Sequence, residues 1–226
     1  MVPDPIRIFH ITAIDNLDAI CRAGALICKN SCASQGINYQ NIAHSGAQGA
    51  RASTIVPNPP GGVVHDFVPF YFAPRSPMLS AIHNGNVGGC DYQQEDILHF
   101  ETTIPSVLSH SQEVVFFDLN ATLQWSTPYT DVGEIPSKVA WDVICADPKL
   151  DGYCKYFFNR HADPNHVDRM EKRMAEFLVK HSVPLSALTK IGVANERKAD
   201  LVRRRLQENN VILQVDVVRD WYFLGQ

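Results

Sequence analysis

Apolar and polar positions change period several times along this chain. Residues 7–12 (Arg7-Ile8-Phe9-His10-Ile11-Thr12) alternate at period two, the spacing of a strand with one buried face. Leu17, Ile20 and Cys21 then recur at helical spacing, which predicts a short helix over 16–23, capped by Asp15 and stopped by Gly24. Residues 31–66 lose both periods. They are rich in Ser, Asn and Gly, end on Pro57-Asn58-Pro59-Pro60-Gly61-Gly62, and read as a long irregular loop of the kind that is functional or disordered.

Strand character returns in 67–73, an aromatic run followed by the turn Pro74-Arg75-Ser76-Pro77 and a short helix over 78–83. Residues 97–104 and 113–118 read as further strands. The segment 126–170, broken at Asp147-Pro148 and Asp163-Pro164, predicts short helices around 141–145 and 153–158. It reads as a variable, mostly helical insertion within one domain spanning 1–226. Beyond it come a helical start at 171–174, strands at 176–179 and 191–193, an Arg-rich helix at 196–209 and a final strand at 211–218. Strands and short helices mix without regular βαβ spacing, which points to an α+β fold.

Composition changes this picture only at its edges. At 45% apolar and 19% charged residues, the chain buries a real core. No apolar run is long enough to cross a membrane, and Met1-Val2-Pro3-Asp4-Pro5 lacks the basic head and apolar run of a secretion signal, so a cytoplasmic protein is expected. The six cysteines form no C-x-x-C pair and read as reduced thiols packed as small apolar residues, with no metal site. A net charge of −4 does not suit a protein that tracks duplex DNA. A nucleic-acid partner would be held by a local patch, over a few nucleotides.

Signatures for phosphate-loop, dinucleotide, zinc-protease and nucleophile-elbow chemistry are missing. An enzyme here rests on another constellation, for which one His, one Arg and one Glu set in aromatic strands would serve. Read alone, His10 is a core histidine, Glu176 an outward strand residue and Arg51 a solvated loop arginine. Yet a carboxylate entering the apolar run Ala175-Glu176-Phe177-Leu178-Val179 is costly to bury without a partner, which makes it a functional candidate.

Four blocks together carry a resemblance. Phe9-His10-Ile11-Thr12 with Asp15-Asn16-Leu17 and Ile20 resembles the opening of the DarT toxins, DNA ADP-ribosyltransferases of the DarT/DarG toxin–antitoxin systems. The block 65–79, His65-Asp66-Phe67-Val68-Pro69-Phe70-Tyr71-Phe72-Ala73-Pro74-Arg75-Ser76-Pro77-Met78-Leu79, is similar to their central signature almost letter for letter. Residues 175–179 match the segment of their catalytic glutamate, and Trp221-Tyr222-Phe223 their aromatic end. One departure stands out: the family's loop reads Ile-Gln-x-Arg-Arg, and here it is Ala47-Gln48-Gly49-Ala50-Arg51, so one of two arginines is missing.

The resemblance implies an ADP-ribosyltransferase-like split two-sheet β core with surrounding short helices. It implies a toxin that consumes NAD as co-substrate, releases nicotinamide and places ADP-ribose on a base of single-stranded DNA, thymine being favoured over guanine. A DarG-like macrodomain antitoxin is the implied partner, with no membrane involved. Glu176 and Arg51 are the implied catalytic residues. His10, Thr12, Arg51, Tyr71, Ser76 and Met78 would bind NAD: an imidazole N–H holding a ribose hydroxyl, Tyr71 stacking on the pyridinium ring. Tyr39, Asn41, His44, Arg51 and Arg75 would bind DNA by stacking and by amide or cationic contacts. The arginines of the C-terminal helix read first as a solvated face and second as a DNA contact. The alternatives are a transferase of the same fold acting on RNA or protein, and a catalytically silent nucleic-acid-binding domain.

Overall fold

The computed structural model describes residues 1–43 and 45–225. Strand β1 (Arg7–Ala13) leads through a 3-10 turn into α1 (Leu17–Ala23), β2 (Ala25–Ile27), α2 (Lys29–Ser34) and α3 (Ser45–Ser53). Next come β3 (Phe67–Tyr71), α4 (Pro77–His83), β4 (Ile97–Thr103), α5 (Ile104–Leu108) and β5 (Val114–Phe117). A stretch of short elements follows: β6 (Pro128–Tyr129), α6 (Ile135–Lys138), α7 (Trp141–Ile144), β7 (Lys149–Leu150), β8 (Tyr153–Cys154) and α8 (Arg169–Lys172). The chain closes with β9 (Glu176–Lys180), β10 (Ser182–Pro184), β11 (Lys190–Val193), α9 (Glu196–Glu208) and β12 (Gln214–Val217).

Eight strands pair in the order β12-β11-β4-β1-β3-β9-β5-β6. All neighbours are antiparallel except β11 and β12, which α9 connects as a parallel crossover. Between β1 and β3 a single register pair remains, Phe9 opposite Tyr71, whereas β1 runs beside β4 from Arg7 to Ala13. The sheet therefore divides into two four-stranded halves at β1/β3, which is the split core of the α+β fold expected from the sequence.

Apolar side chains fill both sides of that split. Phe9 sits edge-to-face against Tyr153 and Trp221, and Trp221 in turn covers Gly192. A Cβ at Gly192 would lie 2.0 Å from the indole, so the close approach of ring to strand requires glycine there. A smaller cluster, including Val64, Phe67, Val115, Phe117 and Leu178, covers the far face of β3, β9 and β5. The six cysteines are free thiols, five of them buried.

Four expectations are corrected. Asp15 does not cap α1; it lies in the 3-10 turn and pairs with Arg205 of α9. The irregular stretch 31–66 contains most of α2 and all of α3, helices too short and too rich in small residues to show periodicity. Residues 153–158 are not helical, because Asp151 and Gly152 both take positive φ (48° and 86°) and turn β7 back onto β8 as a hairpin. The Val183-Pro184 break is itself part of β10, an edge strand on β2 where Pro is tolerated.

Candidate active site

Glu176 opens β9, and register places it directly opposite Tyr71 on β3 and Phe117 on β5. Its side chain is fully buried. Arg51 reaches it from α3: Nη1 donates to both carboxylate oxygens at 2.9 Å. Asn120, just past β5, donates from Nδ2 to Oε1 at 3.0 Å. Burial pushes the Glu176 carboxyl above its ordinary range, against the pull of Arg51. Burial alone would lower the Arg51 guanidinium, but Glu176 and Tyr71 together offset it and the group is held above its ordinary value.

Arg51, Tyr71 and Asn120 belong to the wall of a large pocket that also takes in His10, Thr12, Asn16, Tyr39, Asn41 and Met78. Its far end is apolar, formed by α1 and β2 side chains such as Ile20, Leu26 and Ile27. His10 binds the Pro69 carbonyl through Nδ1 at 2.8 Å, across the split. A carbonyl only accepts, so the proton sits on Nδ1; burial pulls the ring's pKa down to about 4, and near neutral pH Nε2 is a bare acceptor. What His10 has left for a ligand is thus a lone pair, not the N–H that the sequence suggested. Tyr71 stays a phenol, since burial and then Glu176 push its ionisation up.

Thr12 Oγ1 accepts from Asn16 Nδ2 at 2.8 Å, and Asn16 also binds both backbone polar groups of Gln40. That side chain joins the end of β1 to the segment carrying Tyr39 and Asn41. Both of those line the pocket and are partly open to solvent. His44 lies outside the described residues.

Two expected site residues are elsewhere. Ser76 is buried and caps α4, its Oγ accepting from Leu79 N at 3.1 Å, and it does not reach the pocket wall. Arg75 is only 4% exposed; it donates to the carbonyls of Asp220 and Lys155 and lies over the Phe223 ring. That burial leaves Arg75 little surface for the DNA contact expected of it. On α9, Arg205 binds Asp15 and Asp18, and Arg203 pairs with Asp200 and Glu196.

Sequence reasoning missed Asn120 and the part played by Asn16. Asn120 lies 56 residues from the carboxylate it contacts, so no spacing reveals it. Asn16 was visible only as a letter of the opening block. Among the described residues no cluster of metal-ligating side chains occurs, and no helix is long and apolar enough to cross a membrane.

A carboxylate buried one strand from the split of a two-halved sheet, with an arginine set on it from a pocket wall, fits the site of an NAD-dependent ADP-ribosyltransferase that the resemblance implies. Relatives narrow that class. Residues 9–223 match the family model of DarT, the ssDNA thymidine ADP-ribosyltransferase. A DNA ADP-ribosyl transferase of Thermus sp. (strain 2.9) is 35% identical over 225 residues, covering 98% of each chain. The structure of Thermus sp. 2.9 DarT in complex with ADP-ribosylated ssDNA superposes with a TM-score of 0.84 at 34% identity, covering 99% of both chains. Thermus sp. 2.9 DarT in complex with NAD+ gives 0.81 at 33% identity, over 99% of this chain and 100% of that one. The chain belongs to the DarT family of DNA ADP-ribosyltransferases.

Proposed function

We propose that this protein transfers ADP-ribose from NAD to a thymine base of single-stranded DNA and releases nicotinamide. The observation that carries the reading is Glu176, fully buried one strand from the split and held by Arg51 and Asn120 under the pocket wall. The Thermus relative's complexes with NAD+ and with ADP-ribosylated ssDNA support the choice of both substrates.

In this reading Tyr71 stacks on the nicotinamide ring and Met78 bounds its pocket. The Nε2 lone pair of His10 accepts a ribose hydroxyl, and the Thr12 hydroxyl, already accepting from Asn16, donates to another. The bond between ribose C1 and the nicotinamide nitrogen breaks, and its electron pair leaves with the ring, which becomes neutral. The positive charge left on the sugar faces the Glu176 carboxylate, already oriented by two partners, so little reorganisation is needed. A thymine ring nitrogen then bonds to the same carbon and releases its proton to solvent. Arg51 keeps its own proton and stabilises the negative character of the base as that proton leaves. Tyr39 and Asn41, at the open side, stack on and read unpaired bases.

Resemblance to the toxins adds a macrodomain antitoxin as partner, and the place of action in this reading is the cytoplasm. The chemistry is tested by offering NAD with a thymine-containing oligonucleotide, its annealed duplex, RNA and protein, and mapping adducts by mass spectrometry. ADP-ribose on thymine of the single strand only is the expected result, because pairing hides the base edge. Guanine adducts would change the acceptor, and labelling of RNA or protein alone would overturn it. Failure to cleave NAD in every mixture would leave a silent binding domain.

A further inference from the structure

One charge in the pocket has no part in the reaction just described. Lys29, the first residue of α2, lines the wall near Arg51. Among the described residues no Asp or Glu lines that wall, and Glu176 beneath it is matched by Arg51. His10 and His65, the wall histidines among the described residues, are neutral near pH 7. Burial takes each down to about 4, and at His65 Lys29 and Arg51 add like charge. Among the described residues, Lys29 is therefore the unmatched charge of the pocket wall.

Its hydrogen-bond partner among the described residues is an uncharged group. Lys29 Nζ donates to Gln48 Oε1 at 2.5 Å, and the same oxygen takes the Nε2–H of His65 at 3.0 Å. An amide oxygen has two lone pairs, so both are in use, and an amide solvates an ammonium without cancelling it. Burial and then Arg51 lower the Lys29 pKa, with no carboxylate acting to raise it. Such a cation, with N–H groups to spare beside a second cation, gains most from an incoming anion.

We propose that Lys29 binds a phosphate oxygen of the substrate, an assignment that rests on reading this pocket as the site for NAD and DNA. Phosphates are the only anionic groups either substrate carries. The pyrophosphate of NAD and a phosphodiester of the DNA strand offer the same chemistry to an ammonium. Gln48 then serves as its resting partner, one helical turn before Arg51.

The test uses Lys29→Met, which keeps the apolar stem and removes the charge, with Lys29→Arg as charge rescue. Affinities are measured for ADP-ribose, for adenosine, and for a thymine-containing single strand against salt. If the pyrophosphate is the ligand, Lys29→Met weakens ADP-ribose roughly tenfold or more and leaves adenosine unchanged. If a phosphodiester is the ligand, oligonucleotide affinity falls and the salt slope shrinks by about 0.7. Lys29→Arg retains most of whichever affinity is lost. Should Lys29→Met fail to fold, Gln48→Glu gives the same reading, because a carboxylate there cancels the charge while Lys29 stays. ADP-ribose and oligonucleotide affinities within twofold of the parent, with an unchanged salt slope, in a variant that melts like the parent would overturn the role of Lys29 alone. A parent that binds neither ADP-ribose nor the single strand would sink the pocket assignment itself.

Discussion

Arg51 and Arg173 are both withdrawn from solvent, and they are partnered in opposite ways. Arg51 meets a carboxylate, Glu176, and keeps one side on an open pocket. Arg173, 2% exposed, meets backbone carbonyls: Nη1 reaches Ile144 and Cys154, and Nη2 reaches Arg75, at 3.3–3.4 Å. Burial pulls its pKa down to about 10, with Arg75 and Arg169 adding like charge, and it remains a cation at neutral pH. Carbonyl partners spread over α7, β8 and the β3–α4 turn make Arg173 a fastener for the chain that leads into β9. A single carboxylate beneath an open pocket fits Arg51 to the role proposed for it beside the reactants. Burial alone does not separate structure from chemistry; the identity of the partner, and what lies on the other side, does.

The contrast predicts that the two sites fail differently. Glu176→Ala should lower single-turnover modification of a thymine oligonucleotide by roughly 10³-fold while the protein still folds, because Arg51 can turn to the pocket and its water. Parental rates would remove Glu176 from the chemistry. Arg51→Lys keeps the charge but loses the planar group, and should cut turnover roughly 100-fold with NAD affinity changed less than threefold. A parental rate would reduce Arg51 to a wall cation.

Arg173→Met should do the reverse. Three buried carbonyls lose a donor, so stability should fall by about 2–3 kcal/mol and Tm by roughly 5–10 °C, with the rate per folded molecule kept. A thermal melt and a rate taken well below the transition separate the two effects, and a lost rate in a folded variant would place Arg173 in the site.

Acid should distinguish the sites next. In the proposed reaction the Glu176 anion acts on the sugar, and burial raises that group's pKa, so the rate should fall, as pH drops, earlier than an ordinary carboxylate would allow. Protonation of His10 near pH 4 removes its acceptor and deepens the same limb. Arg51→Met should move the limb to higher pH, because Arg51 holds Glu176 down; an unmoved limb would mean another group governs it. The smallest effect is expected from Ala50→Arg, which restores the family's arginine pair at an exposed position. Oligonucleotide affinity should rise slightly and its salt slope steepen by about 0.7, as for one added phosphate contact. An unchanged slope would place residue 50 away from the strand.

The hydrophobic pattern alone settled the strands that frame the pocket. Alternation in 7–12, the aromatic run from Phe67 and the apolar run after Glu176 each predicted β1, β3 and β9 within a residue or two, β9 as the near-continuous apolar run of a strand buried on both faces. The Asp151-Gly152 hairpin was written there too, in turn chemistry rather than periodicity. The signature blocks carried the family and with it Glu176, Arg51 and His10. What the letters did not hold is which of these side chains meet. Ser76 and Arg75 belong to the same central block as Tyr71 and Met78, yet a helix cap and a set of carbonyls claim them, since neighbours in sequence leave a turn in different directions. Asn120 reaches Glu176 only because β5 pairs with β9.

The clearest division is at α3. Ser45-Gly46-Ala47-Gln48-Gly49-Ala50-Arg51 has two glycines and no apolar stripe, and by propensity it is a poor helix. Lys29 and His65 hold Gln48, Glu176 holds Arg51, and those three contacts come from segments far apart in the chain. Sequence by itself determined the strands, the family and the reactive residue types, because those follow from local period and local identity. Only the tertiary structure decided that a weak helix would form there and set its arginine on a buried carboxylate, because that helix draws its stability from contacts made after the chain has folded.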